Sequence, residues 1–461
     1  MKKLKTIITS LLLLSSFSFL SAADWLDPSV PSFSKTYEKY FEHVGFAVEY
    51  GNFGTNWGTK QELYYDEVQK GLAKHANQIT MGNEFKPQFV MAWWGNTPKT
   101  NGTFTASNGV TIKTPVLNGL QRIDDILAIC KKNGLQMRGH TLGWHSQTED
   151  GFFCKDYDKA KGLVSREEME ARLEWYIKTV LERVDNWEKK NNNGKHLIWA
   201  WDVFNEATPD GGANWLRTDG SKWYSVYKNG DFLVDAFKYA NKYAPKDVKL
   251  VYNDYGGIYG TSTSDKHAKQ LRVVDLILSH KDDAVLPTRL DAMGLQSHHS
   301  VKNSSAAVEK EITDFIAKGL DVQITELDIG TWNSYNKEKD VVGVNGKQFN
   351  SLADAYKAFF QVYIKLRKTP SKHGVESITI WGLNDESTWL NSTSQIKWIG
   401  ECIQYPLLFK LINNVDGNTK TITTSDGATT LGTLDQYDEG DSFRAKAAFY
   451  SVIQAAEEYS E

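Results

Sequence analysis

The sequence predicts an α/β protein folded as one (β/α)8 barrel. Three observations predict it: eight short apolar or β-branched segments recur along the chain, amphipathic stretches separate them, and most segments end in a carboxylate, His, Asn or Trp. Strands covered on both faces read as short apolar runs rather than as alternating ones. Eight strand–helix alternations with right-handed crossovers bring the last strand back beside the first. The strand C-termini of such a barrel then converge on one face, where its active sites are built.

In chain order the strand candidates are residues 43–51, 78–84, 135–145, 196–206, 248–255, 291–298, 321–328 and 377–385. The helical stretches between them, 58–76, 119–133, 165–190, 222–243, 264–279, 305–318 and 352–368, carry apolar residues three and four apart. Ser165-Arg-Glu-Glu168 forms a capping box at the start of the third. A last helix is expected over 443–456. Three insertions interrupt the pattern: 93–115 after strand two, 330–349 after strand seven and 413–440 before the last helix. The first two follow strand C-termini, where they can shape a cleft. The third reads as a polar β-hairpin, 419–424 and 429–434 around Ser425-Asp426-Gly427, and as a solvated decoration.

Lys2, Lys3 and Lys5 precede an apolar run over 7–20, and Ser21-Ala22-Ala23 supplies small residues for cleavage. This is the plan of a secretory signal peptide, too short to span a membrane. Residues 24–461 are therefore expected as one exported catalytic domain with no membrane contact after cleavage, secreted to the periplasm or the medium, and a monomer. With 461 residues, 41% hydrophobic and 24% charged, the composition is globular. A net charge of −4 excludes a strongly basic nucleic-acid binder. The 15 Trp and 21 Tyr serve either a large core or platforms for sugar rings. Three cysteines make no disulfide framework. Cys130 sits at helical spacing with Ile123, Ile126 and Leu127 and reads as a buried thiol, whereas Cys154 and Cys402 fall in loops on one face, with pairing left open. No Cys/His cluster has zinc spacing.

Two strand endings carry the chemistry: Trp201-Asp-Val-Phe-Asn-Glu206 on strand four and Ile324-Thr-Glu-Leu-Asp328 on strand seven. Glu206 and Glu326 are 120 residues apart in sequence and meet across the barrel mouth. Two facing carboxyls are what glycosidic bond cleavage requires, one ionised and one protonated. His298, ending strand six, can donate to Glu326, and Asp328, on the same side of its strand, can orient that His. Trp neighbours and nearby like charge raise Glu206. Glu326 is accordingly assigned as nucleophile and Glu206 as acid/base, with no metal or organic cofactor needed.

The chain resembles the family-10 glycoside hydrolases, the endo-β-1,4-xylanases, whose fold is the (β/α)8 TIM barrel. Seven motifs in family order carry the resemblance: Gly82-Asn-Glu-Phe-Lys-Pro87, Gly139-His-Thr-Leu-Gly-Trp-His-Ser-Gln147, the two strand endings above, Tyr252-Asn-Asp-Tyr255, Gly294-Leu-Gln-Ser-His298 and Trp381-Gly-Leu-Asn-Asp385. The resemblance implies the same acid/base and nucleophile, and gives Asn205 the sugar 2-hydroxyl. It implies that His140, Lys86, Asn83, Glu84 and Gln147 bind sugar on the non-reducing side of the cut. Trp144, Trp381 and Trp389 become aromatic walls, Tyr255 a stacking platform beyond the scissile bond, and Gln296 a residue near the nucleophile. Lys86 beside a carboxylate also fits a buried ion pair. Phe85 departs from the family pattern, with an effect expected on packing alone.

The expected activity is retaining endo-hydrolysis of xylan and xylo-oligosaccharides. A retaining β-1,4-glucanase of the same fold is the rival, since xylose and glucose differ only at the C5 hydroxymethyl, a difference worth roughly 1–3 kcal/mol in a pocket. A non-catalytic xylan-binding barrel would keep the aromatic cleft and lose a glutamate; both glutamates are present.

Overall fold

The computed structural model describes residues 23–50, 62–331, 335–336, 341–342, 351–412, 417–437 and 440–459. The proposed signal segment lies outside the described residues, as does most of the insertion over 330–349, of which a short antiparallel pairing of Tyr335–Asn336 with Val341–Val342 is described.

All eight expected strands are present and form a closed parallel barrel: β1 His43–Val48, β2 Gln78–Met81, β3 Gln136–His140, β4 Ile198–Asn205, β5 Lys249–Asp254, β6 Ala292–Leu295, β7 Asp321–Gly330 and β8 Val375–Ile380. Each pairs with its sequence neighbours, and β8 closes on β1 with His43 opposite Ser377. The following helices are α1 Asp66–His75, α2 Leu120–Asn133, α3 Arg166–Asn191, α4 Asp231–Tyr243, α5 Asp265–Leu278, α6 Ser305–Ile316, α7 Leu352–Lys365 and α8 Ala447–Glu457. Ser165 caps α3 as its sequence predicts, its hydroxyl accepting from Glu168 N. Apolar helix faces pack on the outside of the strands in one continuous core. Inside the barrel, Arg138 donates to Gln323 and pairs with Asp202, all three buried.

Three elements differ from expectation. The stretch 222–243 is two helices, Lys222–Tyr227 and α4, broken where Lys228 turns left-handed at φ 64° and Asn229-Gly230 follow. Phe443–Ala445 is not helix but a strand antiparallel to Phe409–Leu411. The insertion over 93–115 folds into a hairpin, Thr100–Thr105 against Thr111–Pro115. Its turn is tied to the outer wall through Ser107 N and Oγ donating to Glu174 on α3.

The hairpin of Thr419–Thr423 and Thr430–Asp435 is present. It is more than a decoration, because Ile422 and Leu434 bury against Ile396 in the loop after β8. The start of the described chain closes onto the same region. Trp25 N donates to Phe443 O at 2.8 Å, and the Trp25 ring is fully buried among His75, Phe409 and Phe443. The three thiols are free, so Cys154 and Cys402 are not paired.

Candidate active site

β4 and β7 deliver Glu206 and Glu326 to the C-terminal mouth. Glu206 follows the last residue of β4 and adopts a left-handed backbone, φ 55°, a conformation that costs a non-glycine residue energy and concentrates at functional sites. Its Oε2 accepts from Trp144 Nε1 at 2.9 Å, and its Oε1 from Gln296 Nε2 at 2.9 Å and Asn205 Nδ2 at 3.3 Å. Burial is the largest influence on its carboxyl and raises its pKa. Gln296 pulls the other way, while the neighbouring charges of Asp254 and Glu326 push it up further.

Glu326 is held oppositely. Burial would raise it, but His298, His140 and Asn253 outweigh that and bring its pKa down to about 2. His298 Nε2 lies 3.3 Å from Glu326 Oε2, and its Nδ1 pairs with Asp328 at 3.0 Å. Burial disfavours the imidazolium, yet the Asp328 and Glu326 charges raise His298 to about 10, so it stays a cation at neutral pH. Trp389 Nε1 donates to Asp328 Oδ2 at 2.7 Å, and the Trp389 ring lies 4.8 Å from that of His298.

A chain of amides joins the two carboxyls. Asn253 Nδ2 donates to both Glu326 Oε1, at 2.8 Å, and Asn205 Oδ1, at 2.9 Å. Thr325 Oγ1 donates to Asn253 Oδ1 at 2.7 Å, which fixes the amide orientation. Gly294 on β6 lets it in: a Cβ there would lie 2.5 Å from Asn253 Oδ1. Gln296 completes the chain between Asn205 and Glu206. It thus donates directly to Glu206.

On the β2–β3 side, Asn83 Oδ1 accepts from Lys86 Nζ and Gln147 Nε2, both at 3.2 Å. Lys86 Nζ sits 5.1 Å from the Trp144 ring centre. Burial lowers its pKa, opposed by Glu326, Glu49 and Glu206 among others. His140 bonds Asp202 through Nδ1 at 2.8 Å and meets Trp381 edge-on at 5.6 Å.

Glu84 needs correction. It is fully buried and its oxygens accept from Tyr50 N and Asn83 N, so it shapes the β2 loop rather than facing sugar. The half-buried carboxylate at this spot is Glu49, from the end of β1. Its Oε1 accepts from Asn83 Nδ2 at 3.0 Å, and its side chain leans over Gly82, 3.2 Å from where a Cβ would stand.

Beyond Glu206, Tyr255 forms one wall of an open cavity of about 510 Å³, shared with Asp210, Tyr259 and Lys266. Lys266 Nζ sits 3.2 Å from one face of the Tyr255 ring. The Tyr255 hydroxyl bonds Asp210 and accepts from Arg217. Among the described residues, no three His, Cys, Asp or Glu side chains are grouped to hold a metal ion.

Two facing carboxyls with opposed shifts, bridged by amides and flanked by aromatic rings, form a glycosidase arrangement. Comparison with known proteins agrees. Residues 32–419 match the model of glycosyl hydrolase family 10. The chain belongs to that family. It is 33% identical over 362 residues to endo-1,4-beta-xylanase Y of Acetivibrio thermocellus, covering 74% of this chain and 28% of that protein. It is 30% identical over 378 residues to endo-1,4-beta-xylanase B of Butyrivibrio fibrisolvens, covering 81% and 50%. The chain thus spans half or less of the length of these relatives.

Among solved structures, the CBM22-1 and GH10 modules of a Clostridium thermocellum endo-1,4-beta-D-xylanase complexed with xylohexaose superpose with TM-score 0.60 and 27% identity, covering 95% of this chain and 70% of that one. A GH10 structure from Paenibacillus barcinonensis gives TM-score 0.62 and 25% identity, covering 94% and 100%.

In this family-10 chain, sequence reasoning missed two site residues, Asn253 and Glu49. Asn253 stood inside a quoted motif, where its inward direction on β5 was a usable signal. Glu49 stood at a strand end with no polar neighbour in sequence to mark it.

Proposed function

We propose that the protein is a secreted endo-1,4-β-xylanase that hydrolyses internal bonds of xylan with net retention. The single observation that carries this reading is the opposed tuning of two carboxyls in one amide network: Glu326 held ionised by His298 and Asn253, Glu206 held towards its acid form by burial. Glu326 attacks the anomeric carbon as Glu206 protonates the departing oxygen. Glu206 then takes a proton from the water that opens the glycosyl ester. Asn205 receives the 2-hydroxyl of the sugar at the cut. Asn83, Lys86, His140 and Gln147, joined by Glu49, bind the non-reducing side between the walls of Trp144, Trp381 and Trp389. Tyr255 stacks the first leaving-group sugar. The xylan substrate is supported by the relatives' names and by the xylohexaose bound to a structural neighbour.

Export rests on the basic and apolar N-terminus, cleaved near Asp24. The protein acts as a monomer on this reading. The test is hydrolysis of unbranched β-1,4-xylan beside carboxymethylcellulose, with anomers followed by NMR. Early β-anomers of short xylo-oligosaccharides are expected. Cleavage of cellulose alone would replace the substrate, and no cleavage of either would reject the hydrolase.

A further inference from the structure

Behind Tyr255 lies a buried carboxyl that the two-carboxyl chemistry does not use. Glu311, on α6, is 4% exposed and reaches the loop after β5 at Gly257. A Cβ on Gly257 would lie 1.7 Å from Glu311 Oε1 and 3.1 Å from Gln270 Oε1, so both oxygens flank the bare Cα of this glycine. Gln270, on α5, donates its Nε2 to the Tyr255 carbonyl at 2.8 Å, which fixes the amide's orientation. Its buried Oε1 has no hydrogen-bond partner among the described residues. A buried acceptor without a donor is costly. A carboxylate cannot donate to it, and a carboxylic acid can.

We propose that Glu311 carries a proton and donates it to Gln270 Oε1, and that this chain from Glu311 through Gln270 to the Tyr255 carbonyl fixes the Tyr255 platform. Glu311 is then a positioning residue that touches no reacting atom. The inference rests on the hydrolase reading.

The groups facing Glu311 favour its neutral form. Burial is the largest cause, followed by the charges of Asp254, ending β5, and Asp314, one turn along α6; together they push its carboxyl up to about 8. Asp314 is itself bonded to Lys310 and His267, and Lys266 to Asp210 and Asp254. A cavity of about 20 Å³ beside Glu311 is lined also by Tyr255, Gln296, His298 and His299. The His298 cation faces Asp328 and Glu326, and burial brings His299 down to about 3, so it is neutral. From α7, the Tyr363 hydroxyl lies 3.5 Å from His299 Nε2 and its own ionisation is suppressed by burial and by Glu311. A raised carboxyl keeps its proton below the shifted value and loses it above. The platform is thus held at neutral pH and released as pH rises through about 8.

The test uses xylobiosyl fluoride. Its C–F bond breaks as Glu326 forms the glycosyl ester, and that ester is opened either by water or by the hydroxyl of added xylobiose bound on Tyr255. Glu206 takes the proton in both cases, so the ratio of transfer to hydrolysis cancels its titration and reports acceptor binding. In the wild type the ratio should fall about fivefold between about pH 7 and about pH 9.5, the worth of one hydrogen bond. Glu311→Gln, whose amide makes the same donation without titrating, should keep it level, and Gln270→Ala should leave it low at every pH. A level ratio in the wild type, or the same fall in Glu311→Gln, overturns the inference. No turnover of the fluoride overturns the hydrolase reading and this inference with it.

Discussion

At the scale of single residues the site divides two identical carboxyls by their neighbours. Glu326→Ala should abolish turnover on xylan while xylo-oligosaccharide binding survives, checked by steady-state rates beside calorimetry. Glu206→Ala should cost roughly 10²–10⁴ in rate on xylan and far less on aryl xylobiosides whose leaving groups need no proton; equal losses on both would remove its acid role. Gln296 donates to Glu206 and opposes the rise in its pKa. In Gln296→Ala the alkaline limb of kcat/KM should therefore move to higher pH, because the acid form then survives further. The acid limb does not arise from Glu326 until about pH 2. Both glutamates, His298 and Asp328 were legible because each lies in a motif of several polar residues at a strand end. Glu84 misled because it adjoins Asn83 and Lys86, whereas its backbone directs it inward to Tyr50 N. Glu49 takes the open place through a β1–β2 neighbourhood that local spacing does not reveal.

Among elements, strand identity came easily and ends did not. Apolar spacing recurs on both sides of residues 228–231, and Asn229-Gly230 marked the break between them. Phe443 and Ala445 are two residues apart and share a strand face, a segment too short to stand out beside the helix that follows. They form a strand because Phe409–Leu411 offers an antiparallel partner, a tertiary fact. Lys446, at the N-cap of α8, is fully buried and pairs with Asp385 in the loop after β8 at 2.7 Å. Lys446→Ala should cost about 3–5 kcal/mol, the penalty for stranding a buried charge, read from urea unfolding. The hairpin after residue 417 presses Ile422 and Leu434 onto the loop that bears Trp389. Ile422→Ser should therefore lower the melting temperature and raise KM for xylan severalfold.

For the whole molecule, carboxylates held below their usual range set the acid limit. Glu326 is joined by Asp321, where bonds from Lys249 and Lys368 overcome burial, and by Glu174, where Lys242 and Ser107 do so. Their stabilisation is complete above the unfolded carboxyl values near pH 4 and is lost as pH falls through the lower folded ones. Thermal scans should show the melting temperature dropping steeply below about pH 4. Barrel closure was legible from eight alternations whose polar strand ends fall on one face, as the mouth of a barrel requires. What was not legible is how the two ends of the chain meet. Trp25 is covered by Phe409 and Phe443, and β1 gains its second neighbour only from β8. A ribosome delivers residues in order at about 5–20 per second. The first tryptophan of the described chain therefore has His75 on one side early, but waits for Phe409 and Phe443 through the making of some four hundred residues. Until β8 is made, the strands from β1 to β7 leave two edges bare, each open to pairing with another chain.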